Sequence, residues 1–511
     1  MADRPADPRL PRSAAGPNSP WLLAFVVSIA TFMEVLDTTI ANVALRYIAG
    51  GLAAGEDEST YVLTSYLVSN AIVLPISGWL SNVIGRKRFY MVCVALFTAA
   101  SVLCGFSTSL GELLFFRVLQ GIGGGGLAPT EQSMFADSFP PEKRALAFSV
   151  YGFTVVTAPA IGPVIGGYLT DHFSWHWVFL INLPFGLLSL VLTYFFVHDS
   201  PLLTEERRRR LARGVKLDYV GFALIVLGFG ALQIFLDRFE RDDGWSSSFI
   251  ATLGVIWIVS LVALVIWEWF HPQPIMDVRL WGVRSFAICS VVMFLFGAVI
   301  VSTTQLIPQL VQDLLGYDAT LAGLTLAAGG VCSVLVMPMA GLLTGRVFQP
   351  KWEICVALVG VGCGLYYTTG LDVDISFWSA SFARIFLVVW LPFIFIPLSA
   401  VSYVGVPPPK NPEASALINL VRNLGGSVGV SVTTAELAWR GQFHWERLRE
   451  HLNPYNPNLG GQPPTAFAHA LQQQSTMLSY IDVFYLMAML AFCAAPLAIF
   501  LPRTKGPAAG H

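Results

Sequence analysis

The sequence predicts an all-α integral membrane protein with about fourteen transmembrane helices. Three observations carry that prediction. The 511 residues are 55% hydrophobic and only 12% charged, whereas a soluble domain is about 25% charged. Mean hydropathy is +0.64. Apolar runs recur at close to the ~20 residues that a helix needs to cross a bilayer. Basic residues fall in alternate loops, as an even number of spans requires. A net charge of -2 leaves no basic footprint for nucleic acid.

Residues 1–20 are rich in Pro, Arg and Asp and lack the apolar stretch of a signal peptide, so a disordered cytoplasmic tail is expected. Spans are expected at roughly 21–48, 60–82, 89–108, 110–135, 145–170, 177–197, 218–237, 248–269, 285–311, 319–344, 352–370, 376–404, 413–437 and 477–501. Basic loops occur at Gly85–Arg88, Pro140–Arg144 and Arg207–Arg210, at Arg279 with Arg284, and at Arg346 with Lys351. The intervening loops hold Glu56, Asp57 and Glu58, Asp171, and Asp372 with Asp374. Both termini are therefore expected in the cytoplasm. Residues 438–476 read as a polar outer loop, either a passive connection or a docking surface, with turn chemistry at Asn453–Asn458 and a short helix near 465–475. Residues 502–511 read as a second cytoplasmic tail. The seven cysteines form no C-x-x-C, so neither a disulfide nor a metal site is expected.

The first span carries two carboxylates. Glu34 and Asp37 stand three apart and share a helix face. A charge at mid-bilayer costs at least ~2.5–3.5 kcal/mol. That face is expected to meet a wet cavity or a partner charge, and to bind the coupling proton of a transporter. Arg117 lies roughly 10 Å below the outer surface and Asp37 roughly 24 Å above the inner surface of a ~30 Å core, so the two are at similar depth. An opposed arginine favours a carboxylate and desolvation favours the acid, so a site that alternates between them loads and releases a proton. The other reading is a static ion pair that fixes helix packing. Glu131, Arg384 and Arg422 are further span-embedded charges, the last two expected near span ends, where long side chains snorkel. Asp237 and Glu436 are expected to be solvated at outer ends. The fifth span is punctuated by Pro159, Gly162, Pro163, Gly166 and Gly167, which loosen a helix and admit a close neighbour.

Two enzyme-like matches are decoys. Gly121–Gly126 fits G-x-G-x-x-G, but it lies inside an apolar span with no strand before it. Gly425–Gly429 fits G-x-S-x-G, but no histidine falls within a span to serve Ser427. Close helix packing is the expected role of both. No P-loop occurs, and no enzyme activity or cofactor is expected.

Taken together, these residues resemble the major facilitator superfamily, and within it the fourteen-span drug:proton antiporters. Gly78 to Lys87, with Gly85 and Arg86, looks like the loop motif between spans two and three. Leu36 to Leu45 looks like L-D-x-T-x-x-N-V-A-L of span one. Arg117 to Gly121 matches R-x-x-Q-G of span four, and Gly162-Pro163 with Gly166-Gly167 matches the antiporter motif of span five. Trp175 to Pro184 matches W-x-W-x-F-x-I-N-x-P. Met33 to Leu45, Leu232 to Arg238, the outer segment before the last span and the glycine-rich span thirteen are similar to the EmrB-type pumps of that family.

The resemblance implies a major facilitator fold: a six-helix half at 21–197, a cytoplasmic loop with two inserted helices at 198–284, and a second six-helix half at 285–501. It implies proton-driven export of small hydrophobic toxic compounds across a bacterial inner membrane. It also implies work with an EmrA-like periplasmic adaptor and an outer-membrane channel, with 438–476 as the expected adaptor contact. The alternative is a facilitator-fold exporter or importer of one metabolite. Asp37 is expected to couple the proton first and Glu34 second, with Arg117 modulating Asp37. Phe32, Tyr66, Asn70, Gln120, Gln305 and Gln309 are expected to line the substrate cavity, with ordinary helix packing as the other reading of each. Two residues depart from the family pattern. Asn82 stands where the loop motif usually has an acid, and Arg46 where a proline often follows A-L.

Overall fold

Helix is the only regular structure a chain can adopt across lipid without closing a barrel, because every backbone polar group must be satisfied within the segment. The computed structural model describes residues 19–502 except 200, 213, 215, 216, 243, 318, 374 and 452–466. Most of the expected N-terminal tail, the centre of the expected outer loop and nearly all of the C-terminal tail lie outside the described residues. Among the described residues there is no strand, only an isolated bridge between Thr344 and Phe348.

The helices of the first half are α1 (Pro20–Gly51), α2 (Glu56–Ser59), α3 (Tyr61–Ile84), α4 (Arg86–Cys104), α5 (Leu110–Gly124), α6 (Leu127–Ser138), α7 (Pro141–His172), α8 (Trp177–Leu180) and α9 (Asn182–Phe196). Then come α10 (Pro201–Ala212), α11 (Tyr219–Arg238) and α12 (Ser248–Phe270). The second half holds α13 (Arg284–Leu315), α14 (Ala319–Leu343), α15 (Pro350–Thr368), α16 (Phe377–Val388), α17 (Pro392–Val401), α18 (Asn411–Glu450) and α19 (Ala468–Ile499). Among the described residues eleven helices are long and apolar enough to cross a membrane, counting α8 with α9 and α16 with α17 as continuous spans. The other three expected spans are helical as well. The span at 110–135 divides into α5 and α6, because Gly125 caps the first and Gly126 opens the second. The spans at 352–370 and 413–437 lie within α15 and α18. The bundle is thus consistent with fourteen crossings.

Each half repeats one pairing scheme. In the first, α1 packs on α7, α3 on α5, and α4 on α9; in the second, α13 packs on α18, α14 on α16, and α15 on α19. The halves meet where α3 packs on α18 and α14 on α7. The inserted helices α11 and α12 pair with each other, and α11 lies against α3 and α18.

The described parts of the expected outer loop are largely helix. Residues 438–450 continue α18, which at 40 residues is about 60 Å long against a ~30 Å hydrocarbon core. The short helix expected near 465–475 is the start of α19. Near its far end α18 is joined to α19 by a hydrogen bond between His444 Nε2 and Asp482 Oδ2 (2.7 Å), and within α18 Arg440 Nε donates to Glu436 (2.8 Å).

Lipid tails supply no hydrophobic force between helices, so close backbone approach at small residues does much of the packing. Both glycine motifs serve this. A Cβ on Gly121 would stand 2.0 Å from Ser69 Oγ of α3, and one on Gly123 would stand 2.6 Å from Phe97 N of α4. A Cβ on Gly425 would stand 2.0 Å from Phe294 O of α13. Ser427, the serine of the decoy motif, donates to Gln233 of α11 at 3.1 Å. In α7 the glycines differ: a Cβ on Gly162 would meet Thr39 at 2.7 Å and one on Gly166 would meet Ile40 at 3.1 Å, whereas Gly167 has nothing within 4 Å. The helix runs unbroken through Pro159 and Pro163. Thermal unfolding of purified protein should therefore separate these positions. Gly425→Val should cost about 1–3 kcal/mol by overpacking, and Gly167→Ala should change stability by less than about 0.5 kcal/mol. Equal melting temperatures for Gly425→Val and wild type would refute the packing assignment.

Candidate functional site

The site grows from one helix. Along α1, Ser28, Thr31, Glu34 and Asp37 recur every three residues and so lie on neighbouring faces of successive turns. Around them the first half gathers three carboxyl groups, Asp37 and Glu131 fully buried and Glu34 partly buried, each with a different environment.

Asp37 is fully buried and paired. Its Oδ2 stands 2.7 Å from Arg117 Nη1 of α5, and neither side chain is exposed. Its Oδ1 accepts from Gln120 Nε2 at 2.8 Å and from Asn182 Nδ2 at 2.6 Å. Arg117 also donates to Val62 O at 3.0 Å and to Gln120 Oε1 at 2.7 Å, and its guanidinium lies 4.6 Å from the centre of the Tyr66 ring. Asn182 donates in turn to Ser101 at 2.9 Å. The depth reading from the sequence thus places the right two residues together. Gln120, expected in the substrate cavity, instead spends its amide on this pair and is itself 0% exposed.

Glu34 lies almost one turn nearer the start of α1 and makes no ion pair among the described residues. Its Oε1 accepts from Tyr66 Oη and Asn70 Nδ2, both at 3.3 Å, and its buried Oε2 has no hydrogen-bond partner. Gly124 leaves the space: a Cβ there would stand 3.3 Å from Glu34 Oε1. Tyr66 and Asn70, two of the expected lining residues, are thus brought together around a carboxyl. Glu131, on α6, is fully buried and accepts from Ser28 Oγ at 2.6 Å and from Thr31 Oγ1. The remaining expected lining residues lie apart. Phe32 packs its ring on Phe185 of α9, with centroids 5.9 Å apart. Gln305 is exposed and Gln309 half-buried on α13 of the other half.

The loop motif joins the halves at the basic end of the bundle. Gly85 turns the chain with φ 99°, which only glycine adopts without strain, and α4 starts at Arg86. Arg86 pairs with Asp137 at the end of α6, and the same Asp137 accepts from Asn411 Nδ2 of α18 at 2.8 Å. A Cβ on Gly78 would stand 2.7 Å from Glu413 Cα, so α3 and α18 touch backbone to backbone there. Asn82 donates to Pro409 O at 3.4 Å, and Gln132 exchanges hydrogen bonds with Asn419.

Sequence reasoning passed over Asn182 and Asp137 as partners of Asp37 and Arg86. Asn182 carries a signal, a lone amide within the apolar run Val178–Pro184; Asp137 carries none, since it reads as an ordinary helix-end acid. The two arginines expected to snorkel also differ. Arg422 is half-buried and donates to Tyr151 Oη at 3.2 Å, whereas Arg384 is buried.

Comparison with known proteins places this geometry. Residues 27–430 match the Major Facilitator Superfamily. The chain is 37% identical over 446 residues to the "Multidrug export protein EmrB" of Escherichia coli (strain K12), covering 86% of this chain and 84% of that protein. It is 35% identical over 508 residues to the "Probable multidrug resistance protein EmrY" of the same organism, covering 96% of each. Its fold is similar to the crystal structure of a double Trp mutant of XylE, with TM-score 0.62 and 16% identity over 95% of this chain and 97% of that one. The pairing of helices and the match over most of its length agree: this multi-pass membrane protein belongs to the major facilitator superfamily.

Proposed function

We propose that the protein is a proton-coupled exporter of hydrophobic toxic compounds, set in a bacterial inner membrane with both termini in the cytoplasm. The relatives named as multidrug export proteins support the substrate class. The observation that carries the coupling is the row of carboxyls along and beside α1, of which only Asp37 makes an ion pair among the described residues. A carboxylate buried without one is costly, and taking up a proton removes that cost. Glu34 is the group that exchanges its proton in this conformation, since one oxygen has no bond to break. Asp37 is locked by Arg117, Gln120 and Asn182, so protonating it means breaking the pair. That ties its proton to a rearrangement of α1 against α5 and makes Arg117 the modulator. In this reading the basic end is cytoplasmic, and the contacts of Gly78, Asn82 and Arg86 across the halves close it. The glycines and prolines of α7 let α1 slide as the halves rock.

Proton release on adding a hydrophobic drug to purified protein tests the reading. Wild type should release protons, Glu34→Gln should release fewer, and Asp37→Asn should release fewer or none. If both variants release as many as wild type, coupling does not run through α1.

The outer extension of α18 supports a tripartite assembly. Beyond the membrane it presents Trp439, 59% exposed, and Phe443, 37% exposed, on one face four residues apart. We assign this face to an EmrA-like periplasmic adaptor, itself linked to an outer-membrane channel. Replacing both residues by Ser should leave membrane insertion and drug binding intact and abolish adaptor pull-down. Undiminished pull-down would move the docking surface elsewhere.

A further inference from the structure

The two halves repeat their architecture but not their charges. In the first half, Arg117 stands eight residues after Ser109, whose side chain caps α5. In the second, Arg384 stands eight residues after Ser376, whose side chain caps α16. The two arginines thus occupy the same register on corresponding helices, at roughly 12 Å from the cap. Each turns its guanidinium onto the opening helix of its half. Arg117 finds Asp37 there. Arg384 finds two hydroxyls: Nη1 donates to Thr303 Oγ1 and Nη2 to Thr304 Oγ1, both at 2.9 Å.

Those hydroxyls do not neutralise it. Thr303 gives its own proton to Val299 O at 2.7 Å, and Thr304 to Ile300 O at 2.6 Å. They serve Arg384 as neutral acceptors only. Its Nε is buried with no hydrogen-bond partner, the residue is 6% exposed, and it makes no ion pair among the described residues. The cradle is built for the side chain, because a Cβ on Gly329 of α14 would stand 2.9 Å from Arg384 Cγ. A full positive charge is therefore held within the span, oriented by two threonines, with donors to spare and no counter-ion of its own. A buried charge left in that state is expensive. An arginine kept only for packing would carry its carboxylate with it, as Arg117 does.

We propose that Arg384, oriented by Thr303 and Thr304, is an anion-binding subsite whose counter-ion is the carboxylate of an amphipathic organic acid carried by the protein. This rests on the exporter reading and adds a substrate class to it. The planar guanidinium suits a carboxylate, which accepts from two of its N–H groups at once. The ligand's apolar chain extends into the bundle, and the charge that the first half satisfies with Asp37 is supplied here by the cargo.

Binding in phosphatidylcholine nanodiscs, where no anionic headgroup competes, tests this with decanoate and its neutral analogue decanamide near neutral pH. Wild type should bind decanoate more tightly than decanamide by about tenfold or more, the worth of one charge-assisted hydrogen bond. Arg384→Gln should erase that preference by weakening decanoate alone, and Arg384→Lys, which keeps the charge, should restore part of it. A wild type that does not distinguish the two ligands overturns the site. So does a Gln variant that keeps the preference, or one that loses both ligands together. Export of an uncharged hydrophobic drug from wild-type vesicles is measured in parallel. Its failure would sink the exporter reading, whereas the decanoate preference reports on Arg384 alone.

Discussion

A carboxylate and a guanidinium lie 2.7 Å apart in the interior of the first half, neither touching solvent. Removing either partner would strand a charge in low dielectric, at a cost of about 3–5 kcal/mol. The cost explains the crowd around the pair. Asp37 comes from α1, Arg117 and Gln120 from α5, and Asn182 from α9, while Val62 O of α3 and Ser101 of α4 complete the shell. Five helices are registered by one pair. Their glycines can then bring backbones to contact distance without losing alignment, which matters in lipid, where apolar surface alone selects no register.

The same pair sets a contrast along α1. One turn away Glu34 has a tyrosine and an amide, and Glu131 has two hydroxyls. Hydroxyl and amide donors can serve a carboxylate or accept from the acid after a small rotation, whereas an arginine serves only the carboxylate. The geometry therefore separates a carboxyl paired with a cation from carboxyls bonded by neutral donors, within a single half. The second half inverts the imbalance: Arg384 is buried and makes no ion pair among the described residues.

At the basic end a different economy operates. Arg86, Asp137 and Asn411 form a chain from α4 through α6 to α18, and Gly78 removes the last side chain between α3 and α18. These contacts are polar and largely buried, and they join separate helices of the two halves. Asn82 fits that pattern, bonding Pro409 O across the halves with an amide where a carboxylate would add a fixed charge.

Much of this was legible from the residues. Spans could be placed because lipid leaves helix as the option for an apolar run of that length, and their depth could be counted at 1.5 Å per residue. Counting alone brought Asp37 opposite Arg117. The glycine motifs were read as packing because no soluble strand accompanied them, and each glycine does meet a backbone or side chain of a neighbouring helix. What counting could not supply was direction around the helix. It did not turn Gln120 inward to the ion pair and Phe32 toward α9, reveal Asn182 as a third ligand of Asp37, or separate buried Arg384 from half-buried Arg422. Nor did a polar composition at 438–476 distinguish loop from helix, since a helix beyond the membrane is free to be polar. Length and hydropathy act along one dimension, and they determined where the helical spans fall and that Asp37 and Arg117 lie at similar height. Which charge found a partner depended on how helices distant in sequence rotate and close on one another, and that only the tertiary structure decided.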